Sequence, residues 1–264
     1  MSFFSAQGIS AGYGGSSVLK DISFTLEAGC LTGILGANGS GKTTLLKALC
    51  GILPHSGACV LDGETLEALS PKALARRCGY IPQRSGISID ISALDVVLMG
   101  FNPRLGLLEH PNGAMYSAAR EALERVGLAG LENTNYLHLS EGQKQLCVLA
   151  RTLAADSRLL LLDEPESALD FRFRHRTMEL IRGWLRQGER CGIVTLHDPM
   201  LALNFCDELL LLSGGKLTGR VRPGEDGLDK MEAMLEAIYG RVSLLRCKTQ
   251  TGPEQLVMMK EGDP

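Results

Sequence analysis

The chain has no excess of charge of either sign: 27 lysines and arginines stand against 30 aspartates and glutamates in 264 residues, a formal charge of −3. That balance lacks the electrostatic footprint of a DNA- or RNA-binding protein, so no nucleic-acid partner is expected. Long hydrophobic runs are missing as well. LLLL at 159–162 and DVVLMG at 95–100 are core-sized, well short of the roughly 18–20 residues a membrane helix needs, so any membrane role is peripheral. The opening MSFFSAQGIS has no basic region followed by an apolar stretch, which predicts no secretory leader and a cytosolic chain. No C-x-x-C pair occurs among Cys30, Cys50, Cys59, Cys78, Cys147, Cys191, Cys206 and Cys247; they read as reduced thiols, not a disulfide frame or zinc site. There is no internal repeat.

What remains is an ordinary soluble composition, 45% hydrophobic and 22% charged, long enough for one large domain or a domain with a subdomain. The first sixty residues read as short strands, FTLEAG and LTGILG among them, before the helical pattern KTTLLKALCG, which Gly51 and Pro54 close. ACVLDG predicts another strand, and Ser70 with Pro71 suits the cap and first position of a helix through Arg77. From about residue 84 to 151 the texture is helical, with SALDVVLMGF and then SAAREALERVGL, whose Ala118, Ala122, Leu123 and Val126 share a face. RLLLLDEP, a helix from about Asp170 to Gln187 and GIVTLHD then alternate as in a parallel sheet. The expected fold is α/β: a core over 1–83 and 152–240, a helical insert over 84–151 and an extension over 241–264.

Residues 36–43, GANGSGKT, match the only phosphate-loop motif in the chain, between an apolar strand and a helix. Glycines let such a loop wrap with its N–H groups inward, so Gly36, Asn38, Gly39, Ser40, Gly41, Lys42, Thr43 and Thr44 can cradle phosphates. Lys42 would neutralise the β- and γ-phosphates and the Thr43 hydroxyl would ligate Mg²⁺. LLLLDEP ends an apolar run with two carboxylates, Asp163 for the metal and Glu164 to polarise an attacking water. HLSEGQKQL, 138–146, admits two readings. Ser140 and Gln143 form the capping box of a helix, and the same free amides suit an anion.

GANGSGKTT, YIPQ ending at Gln83, LSEGQ at 139–143, LLLLDEP, SALD at 167–170 and His197 together resemble, in order and spacing, the ATP-binding cassette (ABC) ATPases. LSPKALARRCGYIPQ, DVVLMGFNPRLG and MLEAIYGRV are similar to the importer subunits for iron–siderophore complexes, haem and cobalamin, though Phe101, Asn102 and Pro103 follow Gly100 where relatives carry Gly-Arg-x-Pro. The resemblance implies a phosphate-loop NTPase core with an N-terminal antiparallel β subdomain and an inserted helical subdomain, using ATP and Mg²⁺. It implies that Tyr13 stacks on adenine, that Gln83 senses Mg²⁺ and the water, and that His197 contacts the γ-phosphate. Ser140, Gly142 and Gln143 would complete the site of a second copy, and Asp170, which ends SALD, belongs to the nucleotide-binding set. A homodimer would drive two integral-membrane permease subunits from the cytoplasmic face, served indirectly by a solute-binding protein. Glu141 stands where relatives usually have glycine. His55, His110, His138 and His175 receive no role. An ATPase subunit for another ligand and a soluble, non-transport ABC ATPase are the alternatives.

Overall fold

The structure, a computed structural model, describes residues 2–83, 86–248, 252 and 254–262. The expected boundary at residue 84 falls on Arg84, outside those residues, as do 249–251, 253 and 263–264 of the extension. Strand texture divides the chain into two main sheets. Polar-apolar alternation characterises the antiparallel one, ordered β2 (Ser16–Leu26), β1 (Phe4–Tyr13), β4 (His55–Leu61), β5 (Glu64–Thr65).

The second sheet contains the continuous apolar runs. Its order is β10 (Lys216–Val221), β9 (Glu208–Ser213), β3 (Leu31–Leu35), β8 (Cys191–Thr195), β7 (Leu159–Asp163), β6 (Cys78–Ile81). All neighbours are parallel except β10 and β9. A strand buried on both faces is apolar at most positions, and LLLL, buried throughout, is such a strand. Its period of two shows in the packing. Leu159 and Leu161 join the cluster under the antiparallel sheet, whereas Leu160 and Leu162 join the cluster shared with the helices. Each leucine buried this way contributes about 1.5–3 kcal/mol.

Helix α1 (Lys42–Leu49) lies between the sheets, with Leu45, Leu46 and Leu49 buried. Helix α2 (Pro71–Arg77) starts as the sequence predicts, Ser70 accepting from the Ala73 amide and proline in the first turn. The helical region holds α3 (Ala93–Leu98), α4 (Gly113–Arg125) and α5 (Glu141–Ala155), packed through Ala119, Ala122, Leu123, Leu146 and Leu149. Helix α6 (Phe171–Leu185) is capped by Asp170, which accepts from the Phe173 amide at 3.0 Å.

Two features were not legible in sequence. The extension is a hairpin of β11 (Val242–Cys247) and β12 (Gln255–Lys260). It docks on α7 (Pro199–Phe205) through Asn204, whose amide donates to the Leu256 carbonyl and accepts from its N–H, both at 2.8 Å. Helix α8 (Leu228–Tyr239) packs on β11 with Met231 and Leu235 buried. The Phe101–Asn102–Pro103 variation forms part of a 3₁₀ turn, Met99–Arg104, with Phe101 buried. No helix among the described residues is long and apolar enough to cross a membrane.

Candidate active site

Three parallel strands end together and deliver the reacting groups. β3 leads into the loop at 36–41, β7 ends at Asp163, and β8, between them, ends at Thr195 in register with Asp163. The loop is glycine where it must be. A Cβ at Gly36 would lie 2.3 Å from the Leu212 carbonyl oxygen, and Gly41 turns into α1 with φ +106°. The Ser40 amide is satisfied by Ala37 at 3.1 Å, yet Lys42, Thr43 and Thr44 have no acceptor for their amides among the described residues. The Ser40 Oγ is buried and likewise without a partner. These donors, with the positive end of α1, form a cradle that an anion satisfies.

Lys42 is buried, and its ammonium donates to the Gly36 carbonyl at 2.7 Å and to Ala37 at 3.3 Å. Burial lowers its pKa, while Glu164 and Asp163 pull in the opposite sense. The cation is therefore held against the loop, facing two carboxylates. Asp163 Oδ1 accepts from Thr43 Oγ1 at 3.1 Å and from Thr195 Oγ1 at 2.8 Å; Oδ2 accepts from the Tyr80 hydroxyl at 3.4 Å. A hydroxyl and a carboxylate oxygen so placed are the hard donors Mg²⁺ takes.

Glu164 departs from the strand with φ +51°, a left-handed conformation costing a non-glycine residue about 1–3 kcal/mol. The turn is held by its amide donating to Thr195 Oγ1 at 3.0 Å, and by Gln145 Nε2 donating to its carbonyl at 3.2 Å. It aims the carboxylate at two partners the sequence marked. Gln83 Nε2 donates to Oε2 at 2.5 Å, and His197 Nε2 lies 2.6 Å from Oε1. Gln83, Glu164 and His197 thus converge from three strand ends, and a carboxylate so oriented can accept a proton from water.

Other predicted residues stand apart. Tyr13 ends β1 with its ring half exposed, as a stacking surface requires. Ser140, Gly142 and Gln143 line a separate cavity with Leu169, Asp170 and Phe173. There the capping box is complete: Gln143 N–H donates to Ser140 Oγ at 3.3 Å and Ser140 N–H to Gln143 Oε1 at 2.9 Å. Among the described residues no hydrogen bond joins this turn to the phosphate loop. Glu141 points to solvent, 77% exposed, and pairs with Lys144 at 2.8 Å.

Sequence reasoning missed four residues. Tyr80, Gln145 and Thr195 become visible only once β6, α5 and β8 are seen to meet at the acid pair. Glu166 is the fourth: buried, with Oε1 accepting from the His197 amide at 3.2 Å and Oε2 unpartnered. Burial above all raises its pKa to about 7, with the Glu164 charge adding to the effect. Its position two residues after Glu164 was the available signal.

A phosphate cradle with a buried lysine, an aspartate beside a hydroxyl and a glutamate held by glutamine and histidine define a nucleoside-triphosphate hydrolase of the phosphate-loop class. Residues 19–167 match the ABC transporter family. The hemin import ATP-binding protein HmuV of Jannaschia sp. (strain CCS1) is 39% identical over 80% of this chain and 79% of its own length. HmuV of Bordetella pertussis is 38% identical over 83% and 86%. The cobalamin import ATP-binding protein BtuD of Halobacterium salinarum (strain ATCC 29341 / DSM 671 / R1) is 33% identical over 80% of this chain and 52% of its own. Solved structures share the fold: an ABC transporter in an inward-facing conformation, TM-score 0.82 at 24% identity over 99% of both chains. The dimeric cassette MJ0796 with ADP and Pi gives 0.73 at 22% identity over 83% of this chain and 98% of that one. The chain belongs to the ABC transporter family, as an ATP-binding and ATP-hydrolysing subunit.

Proposed function

We propose that this subunit powers uptake of a metal chelate of the haem, cobalamin or iron–siderophore type, as half of a homodimer on the cytoplasmic face of two permease subunits supplied by a solute-binding protein. The observation that carries the catalytic part is the convergence of Gln83 and His197 on Glu164, 2.5 and 2.6 Å from its two oxygens. The ligand class rests on the likeness to HmuV and BtuD.

In this reading residues 39–44 cradle the β- and γ-phosphates, with the open amides of Lys42, Thr43 and Thr44, the Ser40 hydroxyl and the Lys42 ammonium as donors, and adenine stacks on Tyr13. Bound Mg²⁺ would neutralise phosphate charge, held by Thr43, by Asp163 usually through water, and by Gln83. Glu164 accepts the proton of the attacking water and His197 steadies the γ-phosphate. Asp170, Ser140, Gly142 and Gln143 complete the site of the partner copy, and their separation from the phosphate loop here supports that assignment. Residues 1–83 and 152–240 form the nucleotide-binding core, 84–151 the helical part that turns on closure, and 241–264 a C-terminal extension.

The test is co-purification from detergent extract, followed by transport in vesicles with haem, cobalamin or a ferric siderophore as cargo. The proposal expects two integral-membrane partners and ATP-dependent uptake of one of these. Co-purification with ribosomes, or partners that move none of the three, would overturn it.

A further inference from the structure

A second cluster of chemistry-bearing side chains lies outside the nucleotide site. His55 begins β4, Cys59 lies four residues along it, and Glu67 sits in the 3₁₀ turn Leu66–Ala68 that follows β5. One donor atom from each, an imidazole nitrogen, the Cys59 Sγ and a carboxylate oxygen, lies within 4.8 Å of the other two. We propose that His55, Cys59 and Glu67 form a binding site for a borderline divalent transition cation, Zn²⁺ foremost.

The donor set fits that class. Nitrogen, sulfur and carboxylate oxygen together suit Zn²⁺ and disfavour Mg²⁺ or Ca²⁺, which take oxygen. At bond lengths of about 2.0–2.3 Å, tetrahedral donors in a set with one sulfur lie about 3.3–3.5 Å apart, so no pair in the cluster has to close by more than about 1.5 Å. His55 Nε2 and Glu67 Oε1 are already at 3.0 Å.

Outer contacts orient two of the three donors. His55 Nε2–H donates to Glu67 Oε1, and Nδ1 faces the Leu53 carbonyl at 3.4 Å; metal binding would replace the Nε2 proton, with the carbonyl holding a proton on Nδ1. Glu67 Oε1 accepts from the Cys59 amide at 2.8 Å, which ties the carboxylate to the strand carrying the thiol.

Charge supports the same assignment. Cys59 is fully buried, so a thiolate there needs a cation beside it. Thiolate, carboxylate, neutral imidazole and a divalent cation sum to zero, the net charge that a desolvated position tolerates best. His55 and Glu67 also line a cavity of about 630 Å³ reached from solvent, which supplies an entry path and room for a water as fourth ligand.

The experiment titrates the full chain, freed of metal by chelator dialysis, with Co²⁺ alone and follows the near-ultraviolet thiolate-to-Co²⁺ charge-transfer band; Zn²⁺ is then added in competition. The expected result is one Co²⁺ per chain, displaced by Zn²⁺ and not by excess Mg²⁺. Cys59→Ser should abolish the band, Glu67→Gln should weaken binding at least tenfold, and Cys247→Ser, at an exposed thiol, should change nothing. If Cys59→Ser does not fold, His55→Gln serves with Glu67→Gln, and both must lose at least tenfold in affinity. No band in the wild type, a band that survives Cys59→Ser or disappears in Cys247→Ser, displacement by Mg²⁺, or a loss of less than tenfold in either His55→Gln or Glu67→Gln would each overturn the site.

Discussion

The phosphate loop and the turn at Ser140 are both helix N-termini, and they are finished differently. At the loop the chain leaves donors open: the first amides of α1 and the Ser40 hydroxyl have no acceptor, and a buried lysine waits against loop carbonyls. At Ser140 the chain has closed the terminus itself with a two-way capping box, and Glu141 lies out in solvent with Lys144. Open donors buried at one terminus are destabilising until a ligand arrives, whereas a capped terminus is stable alone and can still present its surface to something larger. The first is a pocket for a small anion; the second suits a site made when another subunit docks.

Substitutions should separate these two regions. Lys42→Ala has the largest expected effect: it removes the cation facing the phosphates and should lower ATP turnover about a thousandfold or more. Labelled-ATP titration should show weakened binding as well. Unchanged affinity and turnover would make the loop ornamental. Glu164→Gln keeps the shape and the contacts of the turn but cannot take a proton, so MgATP binding should persist while turnover falls at least a hundredfold in a purified assay. Activity within about threefold of wild type would remove Glu164 from the mechanism.

Gly142→Asp addresses the other region. A Cβ there would lie 3.3 Å from the Ala168 carbonyl, and in the proposed dimer the added charge would meet the partner's nucleotide, so turnover should fall about tenfold to a hundredfold with ATP affinity of the isolated chain retained. A wild-type rate would return HLSEGQKQL to a plain capped helix.

Glu166→Gln probes the buried acid behind His197. The pKa of Glu166 is raised from 4.5 to about 7, so the native state binds a proton more tightly than the unfolded chain. Stability from this group is fully present below pH 4.5 and is lost as pH rises toward 7. The glutamine variant escapes that loss and should be more stable above pH 7 by at most about 3 kcal/mol, with no gain at pH 4. Urea melts at both pH values are the check; equal gains at each would contradict the assigned cause.

The smallest effect belongs to Glu141→Gly. Losing an exposed pair and a favourable dipole charge costs about 0.5–1.5 kcal/mol of helix stability, and with the side chain in solvent, hydrolysis should stay within about threefold of wild type. A tenfold loss in steady-state turnover with the fold intact would give the glutamate a direct role.

The parallel strands were legible because burial on both faces forces unbroken apolar runs, and LLLLD and GIVT have them. The helix starts at Ser70, Ser140 and Asp170 were legible because capping is local chemistry. What could not be read depends on which strands become neighbours. Nothing in the linear order says that Thr195 will bridge Asp163 and the Glu164 amide, since that requires β8 to lie between β3 and β7. The terminal hairpin escaped for a related reason: QLVMMK finds its partner and its anchor, Asn204, only in three dimensions. The pairing of His55, Cys59 and Glu67 was hidden likewise, because no short motif spans a strand and a later turn.

In the proposed dimer the open loop of one copy is completed by the capped turn of another. Analytical ultracentrifugation of Glu164→Gln with saturating MgATP tests it most directly, beside the same variant carrying Gly142→Asp. The expected result is a dimer holding two ATP in the first and a monomer that still binds ATP in the second. A Glu164→Gln chain that binds ATP and stays monomeric, or a dimer indifferent to Gly142→Asp, would contradict it.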